Sequence, residues 1–135
     1  MSALGKLWTL PNTLLGLVAG GVALALGARA GTGHNAIEFH GSPLVGWLRR
    51  GAITLGNTIH YARGMDPGRE VTRYDGAGSV TLGEHERAHT LQFERWGPLF
   101  LLVYGVLWLP GVGGAGNAFE HAADDHAAAR APGSR

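Results

Sequence analysis

From Leu7 to Ala28 the chain runs for 22 residues without a charged side chain, LWTLPNTLLGLVAGGVALALGA. A run of this kind has to leave water. It can anchor in a bilayer, pack as a core helix, or be a secretory signal ending at the small-residue site Ala28-Arg29-Ala30. Asn12 or Thr13 is the expected cap of a helix running to about Gly27, and Pro11 breaks any helix entering from the N-terminal side. Pro11 to Ala28 is roughly 18 residues, or about 27 Å of helix, at the lower limit for crossing a bilayer. Gly16, Gly20 and Gly21 allow close packing against a neighbour in any of these settings. Residues 1–30 are therefore expected to form an apolar N-terminal helix, either a membrane anchor or a core helix.

Composition points the same way. Charged residues make up 16% of the 135 residues and mean hydropathy is +0.04, whereas soluble domains carry about 25% charge. This favours a membrane or an apolar partner, and bacterial inner-membrane association is the leading expectation, with a secreted or soluble form as the alternative. Oligomers through the apolar helices fit the same pattern. The net charge of +1 and the scattered basic residues, with Arg49-Arg50 the only adjacent pair, exclude nucleic acid as a partner. There is no cysteine, so a metal has to be held by His, Asp or Glu.

Beyond the apolar run the chain changes character. Ala36 to Gly41 alternates like a strand, with Gly31-Thr32-Gly33 and Gly41-Ser42-Pro43 as punctuation. Leu44 to Arg50 reads as a single helical turn, Ala52 to Tyr61 as the best strand, and Arg63 to Ser79 as a loop or loose hairpin. Thr81 with Glu84 forms a capping box for a helix that reaches about Trp96 and stops at Gly97-Pro98. Leu99 to Leu109 is a second apolar helix. Pro110 to Gly116 is a turn, Asn117 caps a last helix to about Arg130, and 131–135 is a frayed tail. The expected fold is α+β and mostly helical: the N-terminal helix, a small antiparallel sheet, then three helices within a domain spanning 31–130.

Chemistry concentrates in the third part. His85-Glu86-Arg87-Ala88-His89 is an H-E-x-x-H segment. Residues four apart share a helix face, so His85 and His89 can meet one ion, while Glu86, turned away from them, can reach a water beside it. The bland alternative is a solvated face carrying Glu84, His85, Glu86, Arg87 and His89. A catalytic zinc site needs a third protein ligand and an open position. Glu120 can supply that ligand from the last helix, and Asp124, one turn on, can accept a histidine's other ring N–H. Ala122 and Ala123 would let the two helices approach.

The pairing of H-E-x-x-H with a later E-x-x-A-D resembles the gluzincin branch of the zincin metallopeptidases. The resemblance covers roughly Thr81 to Ala129 and implies a minimal zincin-like fold. It also implies one Zn²⁺ held by His85, His89 and Glu120, Glu86 as general base, and Asp124 supporting a histidine. The stretch from His85 to Leu101 is also similar to small bacterial proteins that share an apolar N-terminal helix. By analogy with zincins, the strand Ile53 to Tyr61 would run beside the active-site helix and pair with extended substrate.

His60, Tyr61 and Tyr104 are candidates to stabilise an oxyanion, with ordinary packing as the alternative for each. Gln92, two turns from His85, continues the ligand face and either contacts substrate or holds a loop. Trp96, Phe100, Tyr104 and Trp108 form an aromatic stripe suited to core or interfacial packing. His121 and His126 are expected to be exposed, and His34 and His40 belong to no pattern. The expected function is a membrane-associated zinc hydrolase acting on a peptide or small amide-like substrate. The alternatives are an iron enzyme built on Glu86-x-x-His89, which lacks the second E-x-x-H it needs, and a scaffold with a structural metal or none.

Overall fold

The structure, a computed structural model, describes residues 3–107 and 118–130. Helix α1 (Ala3–Trp8) is followed directly by α2 (Leu10–Ala25), then β1 (Arg29–Gly33), β2 (Ala36–His40), α3 (Pro43–Trp47), β3 (Ala52–Leu55) and β4 (Thr58–Tyr61). A hairpin of β5 (Glu70–Thr72) and β6 (Ser79–Thr81) leads into α4 (Leu82–Trp96). A 3₁₀ turn at Gly97–Leu99 joins α4 to α5 (Phe100–Leu107), and α6 (Ala118–Ala129) closes the described chain. The expected turn at Pro110 to Gly116, the Asn117 cap, Trp108 and the tail lie outside the described residues.

The α+β class is as expected, but the main sheet is mixed rather than antiparallel. Its order is β1-β2-β4-β3, with β2 and β4 parallel and the outer pairs antiparallel. The cause lies at Gly56-Asn57, where the single strand expected from Ala52 to Tyr61 folds into a hairpin. Gly56 takes φ +61°, a conformation that two-residue strand loops place at their first position. The chain thus leaves β2, crosses through α3 to the edge strand β3, and returns as β4 between β3 and β2. Gly31 to Gly33, expected as punctuation, is itself strand, because the β1–β2 turn falls at His34-Asn35, both with positive φ.

The apolar helix starts earlier than expected. Thr9 is its N-cap, and Pro11 sits in the first turn, where no N–H partner is needed. Asn12 and Thr13 make tertiary contacts instead of capping: Asn12 Nδ2 donates to the Gly97 carbonyl at 2.9 Å, and Thr13 Oγ1 accepts from the Asn57 N–H at 3.0 Å. One stripe of α2 (Asn12, Gly16, Gly20, Ala23) is buried, and a Cβ at Gly16 would stand 1.9 Å from Thr58 Oγ1 and 2.9 Å from the Leu55 carbonyl. The helix therefore lies directly on the sheet. Its opposite side is exposed, and no helix among the described residues is long and apolar enough to cross a membrane.

The Thr81 half of the capping box at α4 forms, its Oγ1 accepting from the Glu84 N–H, while the Glu84 carboxylate meets Arg130. The two preceding free N–H groups, of Leu82 and Gly83, donate to the carbonyls of Arg69 and Pro67, so the N-terminus of α4 is built onto that loop. Farther along, Glu94 accepts hydrogen bonds from Lys6 Nζ (3.1 Å), Asn35 Nδ2 (2.9 Å) and Asn57 Nδ2 (2.8 Å). Three segments distant in sequence are pinned to one helix by one carboxylate.

Gly16→Ala is expected to lower stability by about 1–3 kcal/mol, the usual range for forced overpacking. Gly21→Ala, whose added Cβ meets open space, is expected to be neutral or to stabilise by up to about 1 kcal/mol. Equal denaturant midpoints for the two variants would contradict the docking of α2 on the sheet.

Candidate metal centre

Helices α4 and α6 pack against one another. In α4 the side chains His85, Glu86 and His89 are buried rather than forming a solvated face. In α6 the buried side is Glu120, Ala123, Asp124 and Ala127. Ala123 makes the close approach expected of the pair, while Ala122 is exposed. Two carboxylates thus enter the interior directly opposite two imidazoles.

Three atoms converge. His85 Nε2 and His89 Nε2 are 3.2 Å apart, and Glu120 Oε2 lies 3.0 Å from the first and 3.2 Å from the second. Among the described residues these three form a group able to hold a metal ion.

The surrounding hydrogen bonds set the orientation of both rings. Asp124 Oδ1 lies 2.8 Å from His85 Nδ1, and a carboxylate can only accept, so that nitrogen carries the proton. Gln92 Nε2 donates to the Phe119 carbonyl at 2.8 Å, which leaves Gln92 Oε1 to accept from His89 Nδ1, also at 2.8 Å. Each histidine therefore aims its Nε2 at Glu120 Oε2, donating to it in the metal-free protein and presenting a lone pair there once that proton is lost. Gln92, which from sequence had either a substrate or a loop role, orients a histidine and ties α4 to α6. Tyr104 donates a short hydrogen bond to Glu120 Oε1.

Glu86 stands apart from this group. Its Oε2 accepts from Thr54 Oγ1 on β3 at 2.6 Å. Both Glu86 and the three converging side chains line a cavity of about 840 Å³, and the whole of β3 forms part of its wall. Strand β3 is an edge of the main sheet.

Two of the sequence candidates lie elsewhere. His60 is buried on the α2 side of the sheet, stacked on Phe39 at 4.9 Å and next to Thr58 Oγ1, and burial lowers its pKa to about 4. Tyr61 is fully buried beside Ile59 and Leu82, with its hydroxyl donating to Glu38. Alternation along β4 sends these neighbours to opposite faces, and neither lines the cavity. Two residues unmarked in the sequence do line it: Thr54, and Tyr74, whose ring stacks over His85 at 6.3 Å while its N–H donates to Asp124 Oδ2 at 2.7 Å. Thr54 lies in an ordinary strand, and Tyr74 lies in a glycine-rich loop without periodicity, so neither had a local signal. His121, expected to be exposed, is half-buried beside Tyr74, whereas His126 is exposed and meets Arg87. His34 and His40 flank the buried Glu38.

Burial alone would lower the pKa of His85. Glu120, Glu86 and Asp124 outweigh it and raise the value to about 9, and His89 is raised for similar reasons. Burial would raise Glu120, but hydrogen bonds from His85, His89 and Tyr104 hold its carboxyl well below the usual range. The centre is rich in negative charge and attracts either protons or a cation. The chain matches no protein-family model, no curated protein and no solved structure.

Because His85 holds its proton more tightly in the fold than at its ordinary value of 6.5, metal-free protein has the full benefit below pH 6.5 and loses it as pH rises through about 9. A divalent ion competes with that proton and gains over the same interval. Chelator-treated protein is expected to melt at lower temperature at pH 9 than at pH 6.5, while ion affinity rises. A melting temperature that climbs across this interval without metal would contradict the assignment.

Proposed function

We propose that the chain is a zinc-dependent hydrolase of zincin type, acting on a peptide or small amide-like bond with Glu86 as general base. The observation that carries this reading is the convergence of His85 Nε2, His89 Nε2 and Glu120 Oε2 within 3.0–3.2 Å of one another, on the wall of a large cavity that Glu86 shares. Tetrahedral zinc with bonds of about 2.0–2.1 Å spaces its donors roughly 3.3 Å apart, so the donor set fits the ion with little adjustment. Two neutral imidazoles and one carboxylate leave a fourth position for water or substrate, as hydrolytic zinc sites require. When bound, the ion acidifies water and polarises a carbonyl.

The side chains divide the remaining work. Asp124 and Gln92 hold the two histidines in the tautomer that presents Nε2. Tyr104 binds the far oxygen of Glu120, leaving Oε2 for the ion. Glu86 takes a proton from water and returns it to the leaving amine, and Thr54 fixes the orientation of its carboxylate. An iron site built on Glu86-x-x-His89 would need Glu86 as a ligand, whereas the converging group is His85, His89 and Glu120 and does not include it. The edge strand β3 along the cavity wall supports an extended substrate paired through its backbone.

Protein purified without chelator is expected to carry one zinc per chain by elemental analysis. Glu120→Ala should lose most of it, because two ligands rarely hold zinc against water. Glu86→Gln should keep zinc within a few-fold while cleavage of a fluorogenic peptide mixture falls by at least about 10²-fold. Loss of metal from Glu86→Gln, or undiminished cleavage, would sink the proposal.

A further inference from the structure

The side of α2 away from the sheet carries Leu14, Val18 and Val22, all exposed and four residues apart, with Val18 at 69%. Leu99, Leu102 and Val106 form a matching exposed stripe along α5 and the turn before it, with Leu102 at 68%. The two stripes belong to adjoining elements: Asn12 of α2 binds the Gly97 carbonyl, and a Cβ at Gly97 would collide with the Trp8 indole. Large apolar surfaces on a single chain mark a partner or a membrane.

Charge distinguishes the two. In residues 1–65 Lys6 is paired with Glu94, and the other basic side chains, Arg29, Arg49, Arg50 and Arg63, stand against one acid, Glu38, which is buried. A symmetric pair of chains would bring this basic half against itself. An anionic lipid surface complements it. Trp8 and Trp47 are exposed on the same half, Trp47 at 70% and followed at once by Leu48, Arg49 and Arg50. Tryptophan beside arginine is the combination that seats at the headgroup level.

The cavity wall includes residues next to these stripes. Leu48 and Leu101 line it and are themselves exposed, at 65% and 37%. A smaller apolar cavity of about 90 Å³ shares Leu48, Ile53 and Leu55 with it and extends to Ala19 on α2. The route from the apolar face toward Glu86 is thus bordered by aliphatic side chains.

We infer that the chain lies in the plane of an anionic bilayer, with the exposed sides of α2 and α5 among the acyl chains. Its cavity takes substrate from that bilayer: an amphipathic molecule whose apolar part follows the Leu48–Leu101 rim while its scissile amide reaches Glu86. The substrate half of this inference rests on the hydrolase reading; the membrane seat does not.

The full chain, with zinc content measured in parallel, is tested by flotation with vesicles of equal parts phosphatidylglycerol and phosphatidylcholine, and with pure phosphatidylcholine. Binding is expected to be at least about 10-fold stronger to the anionic vesicles, and to fall at least about 10-fold in the double variant Val18→Glu, Leu102→Glu. Since the chain has no cysteine, a fluorophore at Leu101→Cys reports on the rim without relying on that variant's folding. It should be quenched by doxyl-labelled lipid, while a fluorophore at Asp125→Cys should not. The inference is overturned if the protein does not float, if the Leu101 label stays in water while the chain floats, or if the chain is a dimer that Val18→Glu dissociates without changing flotation. Zinc bound without flotation leaves the hydrolase reading standing alone; flotation without zinc removes the hydrolase and the substrate claim, and leaves the membrane seat.

Discussion

Helix α6 brings Glu120 and Asp124 into the interior, where an isolated carboxylate would be strongly disfavoured. What meets them is the pair of imidazoles on α4, and the docking of α6 depends on that encounter: His85 reaches both carboxylates, His89 reaches one, and Gln92 fastens the Phe119 backbone. Apolar packing shares the task at one end of the helix, where Phe119 meets Trp96, Phe100 and Tyr104. The buried apolar residues of α6 are the alanines Ala123 and Ala127, which contribute little area but permit the close approach that polar bonds of this length demand. Helix and site are therefore closely joined, with Phe119 packed on Trp96 and Phe100 as the apolar complement to the polar centre.

The framework behind α4 follows a similar rule. Helix α4 is fixed at its start by the loop carbonyls of Pro67 and Arg69, near its middle by the Thr54–Glu86 bond, and near its end by Glu94. Glu94 gathers α1 and both hairpin turns of the main sheet, so the position of His85 and His89 relative to β3 is set by contacts along the whole helix. The apolar contribution comes from the opposite direction, through the glycine-lined stripe of α2 on the far face of the sheet.

The α4 helix was fully legible from sequence because its signals are local: Thr81 and Glu84 at the start, Gly97-Pro98 at the end, and histidines one turn apart between them. Glu120 and Asp124 were legible for the same reason, as a second pair one turn apart on a helix. The sheet was not. The alternation from Ala52 to Tyr61 hides a reversal, and a Gly-Asn pair inside a β-rich run is weaker evidence than the eight residues around it. The parallel pairing of β2 with β4 depends on where the chain goes after α3, which no local pattern records. His60 and Tyr61 were misleading for a related reason: on the interior strand β4 their side chains point to opposite faces of the sheet, and neither lines the cavity. Thr54 and Tyr74 became visible only through contacts with residues more than 10 positions away, Glu86 and Asp124.

The Thr54 hydroxyl, bonded to both the carboxylate and the carbonyl of Glu86, joins the edge strand to the helix that carries the histidines. Strand β3 is an edge of the sheet along the cavity wall, and Glu86 lines the same cavity as His85, His89 and Glu120. On the hydrolase reading, a ligand pairing with that edge would bear on the strand that carries the hydroxyl to which the carboxylate is bonded. Occupancy of the groove and orientation of the carboxylate would then be linked through one hydroxyl. A poorly seated ligand leaves the carboxylate misaligned, so discrimination between ligands would be exercised at the strand, before any bond is broken.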